Sequence, residues 1–295
     1  MGWLSAAAPR SEAYNVAFVQ RLRELGFVEG RNLTIEFRSA EGHVDRMPEL
    51  AADLARQQCD IYLAPGPEAT LVAIKQATSN APIVIAAIDY DPVATGHIAS
   101  FARPRGRITG TYLLQEELSA KRLELLKELL PQARRIAVLA DTSSLRQLAV
   151  VQAAAKQLAL ELLVHEFKRA PYDYKAAFAE FARARAEGLL PLASGLMVPG
   201  RRTITDLARQ HRLPGIFNNA LWVEAGGLLS YGVNFPALFR RIAEQMSMVL
   251  KGAKPAELPV EQSSVFEMAA NLKTAKALGV AIPPVIRLRV DRLIE

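Results

Sequence analysis

Short aliphatic and β-branched runs alternate along this chain with longer segments in which apolar residues return every three or four positions. The opening run Gly2-Trp3-Leu4-Ser5 reads as a strand. It is followed by a helical period over 11–25, with Val16, Val19, Leu22 and Leu25 at three-residue steps and Gly26 placed to stop it. Alternation predicts a strand over 33–37, an amphipathic helix over 47–57, a strand over 61–64, a helix over 69–77 and a buried strand over 83–88. Strands separated by single helices imply βαβ units and a parallel sheet covered on both faces.

The alternation resumes after the run at 106–112. Helices are expected over 116–130, 145–158, 172–187 and 203–211, with strands at 136–140, 161–164, near Ile216 and at 228–231, and a further apolar run at 192–198. Two such series hold too many strands for one sheet. The fold class is therefore α/β with two Rossmann-like lobes, each on a parallel central sheet. In the C-terminal quarter, a helix over 236–251 ends at Gly252, Pro255 and Pro259 extend the chain, a strand is expected at 265–270, and a helix over 272–278 closes at Gly279. An extended tail through Pro283 and Pro284 leads to a last run at 290–294.

Composition adds limits. The chain has 295 residues, 51% hydrophobic and 22% charged, which suits a globular protein of about two domains. One cysteine, Cys59, forms no internal disulfide and reads as an inert small residue. The net charge of +6 is spread as pairs such as Arg134-Arg135 and Arg201-Arg202, with no basic stripe interleaved with aromatics, so no nucleic acid partner is expected. No apolar stretch reaches the roughly 20 residues of a membrane-spanning helix. No signal segment is visible, and Gly2-Trp3-Leu4-Ser5 reads as a strand begun abruptly, as though an upstream segment were cut away.

Catalytic signals are sparse. His43, His97, His165 and His211 stand apart in no metal-binding spacing, so neither metal nor cofactor is expected. Ala193-Ser194-Gly195 lacks the nucleophile-elbow pattern, and Ser194 reads as a packed strand residue. Neither phosphate-binding glycine motif follows a strand. What stands out is the set of strand ends, because ligands of open parallel sheets sit outside their carboxyl ends. Small and polar residues gather there: Ser5 and Ala6, Gly66-Pro67-Glu68, Asp89-Tyr90-Asp91, Asp141-Thr142-Ser143-Ser144, Pro199-Gly200 and Asn218-Asn219. Such loops offer backbone N–H groups to a carboxylate, while Asp or Asn takes an ammonium or amide. Turns and N-caps use the same residue types, so their collective placement carries the argument.

The run 23–42, Arg-Glu-Leu-Gly-Phe-Val-Glu-Gly-Arg-Asn-Leu-Thr-Ile-Glu-Phe-Arg-Ser-Ala-Glu-Gly, resembles a segment of the ABC transporter substrate-binding protein family that includes tryptophan-binding members. Asp91-Pro92-Val93, Ile108-Thr109-Gly110, the segments 121–129 and 226–232, and the segment 271–279 match the same family in order, over almost the whole chain. The resemblance implies a type I periplasmic-binding-protein fold with crossings between lobes near 109–114, 230–234 and 259–262. It also implies export to the periplasm or another extracytoplasmic, membrane-associated location, ABC permease and ATPase subunits as partners, and a monomer. One departure bears on the ligand. Where tryptophan binders carry a neutral Gly-Thr-Pro-Ala-Ala-like loop, this chain reads Ala64-Pro65-Gly66-Pro67-Glu68-Ala69-Thr70, and Asp89 also replaces a neutral position. Glu68 and Asp89 either face a cationic or polyhydroxy ligand group or pair with Arg103 or Arg105.

The expectation is a solute-binding component that captures a small molecule (an amino acid, an aromatic or another small polar metabolite) in an interlobe cleft by hinge closure. It is no enzyme on this reading. An α/β enzyme acting on a small metabolite and a ligand-sensing regulatory domain are the competing readings. The lobes are expected to comprise 1–113 with 232–259, and 114–231 with 260–295. Ligand contacts are expected from Ser5, Gly66, Glu68, Asp89, Tyr90, Tyr112, Asp141, Asn218 and Tyr231.

Overall fold

The computed structural model describes residues Met1–Glu295. In chain order its elements are β1 (Gly2–Ser5), α1 (Ala13–Glu24), β2 (Glu36–Ser39), α2 (Met47–Arg56), β3 (Tyr62–Gly66), α3 (Glu68–Ala77), β4 (Ile83–Ile88), β5 (Ile108–Leu113), α4 (Glu116–Leu129), β6 (Arg135–Asp141), α5 (Leu145–Gln157), β7 (Glu161–Phe167), α6 (Tyr174–Arg183) and β8 (Gly188–Pro191). They continue as α7 (Arg201–Gln210), β9 (Ile216–Phe217), α8 (Ala220–Glu224), β10 (Leu229–Val233), α9 (Phe235–Leu250), β11 (Val260–Gln262), β12 (Phe266–Asn271), α10 (Leu272–Leu278), α11 (Pro284–Arg287) and β13 (Arg292–Ile294).

The chain forms two compact units: Met1–Leu114 with Phe235–Val265, and Gln115–Asn234 with Phe266–Glu295. In the first, six strands pair in the order β11-β5-β4-β3-β1-β2, every pair parallel. Successive side chains of a strand point to opposite faces, and both faces are apolar here. Leu4, Tyr62, Ala64, Ile83, Ile85 and Ala87 pack on α2 and α3. On β1, the neighbouring Trp3 turns the other way, edge-on to Phe18 of α1 and to Phe37. It is fully buried, and truncation of a buried tryptophan costs about 3 to 5 kcal/mol. Helix α9 lies against α1 through Tyr14, Phe235 and Phe239. An ionic lattice of Arg21, Arg240 and Arg241 with Glu24, Glu244 and Glu261 borders the same contact.

In the second unit β7-β6-β8 are parallel, and a parallel bridge from Leu189 to Gly215 leads toward the set β13-β12-β10-β9. One pair there, β10 with β12, is antiparallel, so this unit is mixed where a parallel sheet was expected throughout. The period of two is plain on β6: Ile136, Val138 and Ala140 join one core with α4 and α5, whereas Ala137 and Leu139 join another with α6 and α7.

Several expected boundaries move. The helix expected over 172–187 begins at Tyr174, because the Asp173 side chain caps it by accepting from Ala176 N at 3.0 Å. It ends at Arg183, and β8 at Gly188–Pro191 takes the place of the run at 192–198. That run instead becomes a 3-10 turn at Gly195–Gly200, opened by Ser194 accepting from Leu196 N. Helix α8 was not expected; Asn219 caps it through Leu221 N. The expected division gave 260–265 to the second lobe and 232–234 to the first. The structure reverses both, because β11 pairs with β5 whereas Gly232 and Val233 pair with Glu267 and Phe266 of β12.

Candidate functional site

The carboxyl ends of β1, β3, β4 and β5 bring the first unit's candidate residues into adjacent loops. Ser5 is buried and its hydroxyl donates to Ala8 O at 2.8 Å, which holds the loop after β1. Gly66, at φ 112°, makes the turn into α3, whose first residue is Glu68. Glu68 is paired, but to neither expected arginine: His97 Nε2 lies 2.8 Å from its Oε1. Lys75 Nζ stands 3.0 Å from His97 Nδ1. Lysine can only donate, so Nδ1 accepts and Nε2 carries the proton given to Glu68. The Glu68 side chain remains 41% exposed.

Asp89 adopts φ 64°, a left-handed conformation that Asp tolerates better than most residues, and its N–H donates to Leu113 O. Tyr90 turns inward. It is 4% exposed, sits in the core with its ring edge-on to His97, and its hydroxyl has no hydrogen-bond partner. Burial, and behind it the charge of Glu68, holds that phenol well above the usual tyrosine range. Tyr112 stacks on Phe101 at 4.2 Å between centroids and donates to Gln262 Oε1.

The second unit centres on Asp141, the last residue of β6, which is fully buried. Its Oδ1 accepts from Ser143 N at 3.0 Å and Ser143 Oγ at 2.6 Å. Its Oδ2 accepts from Ser194 Oγ at 2.5 Å and Tyr172 Oη at 3.3 Å. All four donors are neutral. Gln147 of α5 fixes Ser194 by bonding both the N–H and C=O of Ala193. Tyr172 stacks on Phe167 at 4.6 Å, and Tyr174 stands edge-on to both rings. Burial first, then the Asp141 charge and hydrogen bond, keeps Tyr172 above its ordinary range; burial and the same charge push Tyr174 up to about 12. Asn218 is half-buried beside β10, and Gly232 approaches its carbonyl so closely that a Cβ there would lie 2.0 Å from the oxygen. Tyr231 stacks with Phe266 at 6.5 Å, and its carbonyl accepts from the buried Arg122.

Sequence reasoning found the strand ends but passed over His97, Tyr172 and Ser194. Ser194 was assigned to packing in a strand. The signal that would have corrected this was Gly188-Leu189-Leu190-Pro191, a buried apolar run whose end places Ser194 in the following loop.

A family model for ABC transporter substrate binding proteins matches residues 10–293. The chain is 26% identical over 275 residues to the tyrosine-binding protein of Clostridioides difficile (strain R20291), covering 92% of this chain and 77% of that protein. It also resembles the crystal structure of a conserved domain protein from Vibrio cholerae, with TM-score 0.87 and 21% identity, covering 99% of this chain and 98% of that one. A second likeness is the ABC domain from Streptococcus pneumonia in complex with L-Trp, with TM-score 0.82 and 22% identity, covering 99% of each chain. These likenesses show the fold, an α/β architecture of the type I periplasmic-binding-protein class.

Proposed function

Because the chain belongs to the ABC transporter substrate-binding protein family, we propose that it captures an amino acid with an aromatic side chain and delivers it for import. The match over residues 10–293 carries this reading. The relatives named for tyrosine and bound to L-Trp support the ligand class, as do the aromatic residues Tyr172, Tyr174 and Tyr112 beside polar strand ends. The ABC transporter role implies a permease and an ATPase as partners. In this reading the protein works as a monomer outside the cytoplasmic membrane, binds no nucleic acid and returns its ligand chemically unchanged. Capture requires only that the ligand favour one conformation through its differential affinity for it.

Gly66, Glu68, Asp89, Tyr112, Asn218 and Tyr231 are proposed to touch ligand. Ser5 and Tyr90, both buried, support them, and Asp141 acts through the hydroxyls around it. A hydrolytic reading gains nothing from Ser194, whose proton is directed at Asp141 with no histidine between.

A thermal-shift screen over the standard amino acids, aromatic acids, sugars and polyols tests the proposal. Saturation at about 1,000 times Kd stabilises a protein by about 4 kcal/mol, so an aromatic amino acid is expected to raise the melting temperature by several degrees. A response to sugars or polyols with none to amino acids would overturn it.

A further inference from the structure

Asp141 is a buried carboxylate with no cationic partner. Its two oxygens receive four hydrogen bonds, from Ser143 N, Ser143 Oγ, Ser194 Oγ and Tyr172 Oη. A carboxylate offers about four lone-pair positions, so nothing remains on Asp141 for a ligand to bond directly. The consequence falls on the hydroxyls. Each has committed its single proton to the carboxylate, and a hydroxyl that has given its proton can only accept. Ser143 lies exposed and Tyr172 half-buried, so their remaining lone pairs face outward, backed by a full negative charge in a poorly solvated place. Ser194 Oγ receives the Leu196 N–H and lies 3.2 Å from Ser143 Oγ, so its acceptor positions are engaged within the protein and it braces the cluster from behind. The rings of Tyr172, Phe167 and Tyr174 stand alongside.

Two accessible acceptor hydroxyls, Ser143 and Tyr172, over a buried carboxylate suit a group that only donates and carries positive charge. An ammonium has three donors and no acceptor. A ligand carboxylate meets the opposite: lone pairs against lone pairs, over a buried anion. We propose that this cluster is a primary-ammonium subsite, in which the oxygens of Ser143 and Tyr172 accept from the ligand's amine, Asp141 is the positioning residue that takes their protons, and Ser194 braces it. The assignment rests on the reading above that the ligand is an amino acid. It adds which unit holds the amine and through which atoms. The sequence-based expectation of a direct bond from Asp141 to ligand gives way to a bond once removed.

The test is isothermal titration of the whole chain with L-tyrosine, L-tryptophan and L-phenylalanine, each beside the 3-arylpropionic acid that lacks only the amine. The wild type is expected to prefer the amino acid by at least about 100-fold. Asp141→Asn, Tyr172→Phe and Ser143→Ala are each expected to shrink that ratio about tenfold or more, with affinity for the arylpropionic acid nearly unchanged. A purely structural loss would weaken both ligands together and leave the ratio alone. Should Asp141→Asn fail to fold, Ser143→Ala carries the test, because its side chain is exposed. Amino acids bound tightly with no preference over the des-amino acids, or a ratio indifferent to all folded variants, overturns the subsite and leaves the transport reading standing. Absence of binding to any of the three amino acids overturns both.

Discussion

Glu68 and Asp141 are both acidic residues at the carboxyl ends of parallel strands, yet the two units treat them in opposite ways. Glu68 is part-exposed and linked through the His97 imidazole to Lys75. Asp141 is wholly buried and held only by neutral donors. The first arrangement leaves a carboxylate oxygen open to solvent and ligand. The second uses up the carboxylate and presents hydroxyl oxygens in its place. The lesson is that an acidic strand end does not define one kind of binding group. What surrounds it decides whether the charge is offered directly or through others.

The largest expected effects come from the close backbone approaches in each unit. Gly110 has φ 139°, and a Cβ there would lie 2.1 Å from Ile85 O on β4. Gly110→Ala is therefore expected to cost about 3 kcal/mol or more, read as a fall in melting temperature of roughly 10 °C. Gly232→Ala pushes on the Asn218 carbonyl in the second unit and is expected to cost a similar amount, with weaker ligand binding in addition. Urea titration followed by circular dichroism measures both, and a wild-type midpoint for either variant would show that the strands part easily there.

Next in size is the direct contrast between the two carboxylates. Asp141→Ala leaves buried Ser194 and half-buried Tyr172 without their acceptor, and about 2 to 4 kcal/mol of stability is expected to go with it. Glu68→Ala, at a part-exposed pair, is expected to cost under about 1 kcal/mol. Equal losses would erase the distinction between the two strand ends.

Alkaline unfolding sharpens it further. Tyr172 and Tyr174 both titrate above the ordinary tyrosine value of 10.0. Above pH 10 the unfolded chain has given up protons that the native chain keeps, so stability is full below that pH and falls as pH rises, for Tyr174 through about 12. The slope is at most about 1.4 kcal/mol per pH unit for each group. Tyr172→Phe is expected to make the decline shallower, measured as melting temperature between pH 9 and 11; an unchanged slope would place the alkaline loss elsewhere.

The smallest effect is ionic. Raising salt to about 1 M shortens screening to about 3 Å, so the difference between wild type and Glu68→Gln is expected to shrink. The cost of Asp141→Asn is expected to stay the same, since its partners are uncharged. Matching salt responses, seen in paired thermal melts, would contradict the contrast between one carboxylate with a cation behind its neutral partner, Lys75 beyond His97, and one with none.

Two elements were readable to the residue. Ile83–Ile88 is a strand because six apolar residues in a row fit a site buried on both faces, and Leu272–Leu278 is a helix because Asn271 caps it and Gly279 ends it with φ 70°. Interrupted runs misled. The expected helix over 172–187 hid the Asp173 cap, and the apolar run at 192–198 drew attention past β8. The candidate site was half legible. Asp141 announces itself as a polar residue ending an apolar strand, but Tyr172 and Ser194 lie 31 and 53 positions away, and only the folded sheet brings them to it. Tyr90 shows the converse: its neighbours in sequence place it at a strand end, whereas packing turns its ring into the core. The pairing of Glu68 with His97 likewise spans 29 positions and no local pattern signals it.

The central claim is capture without chemistry. Stoichiometric protein incubated with L-tyrosine and L-tryptophan, then separated and analysed by mass spectrometry, tests it most directly. The account predicts that at least one of the two is retained by the folded protein, one molecule per chain, and recovered with unaltered mass from wild type and Glu68→Ala alike. Conversion of either into a new product, abolished in a variant of the strand-end residues, would contradict it.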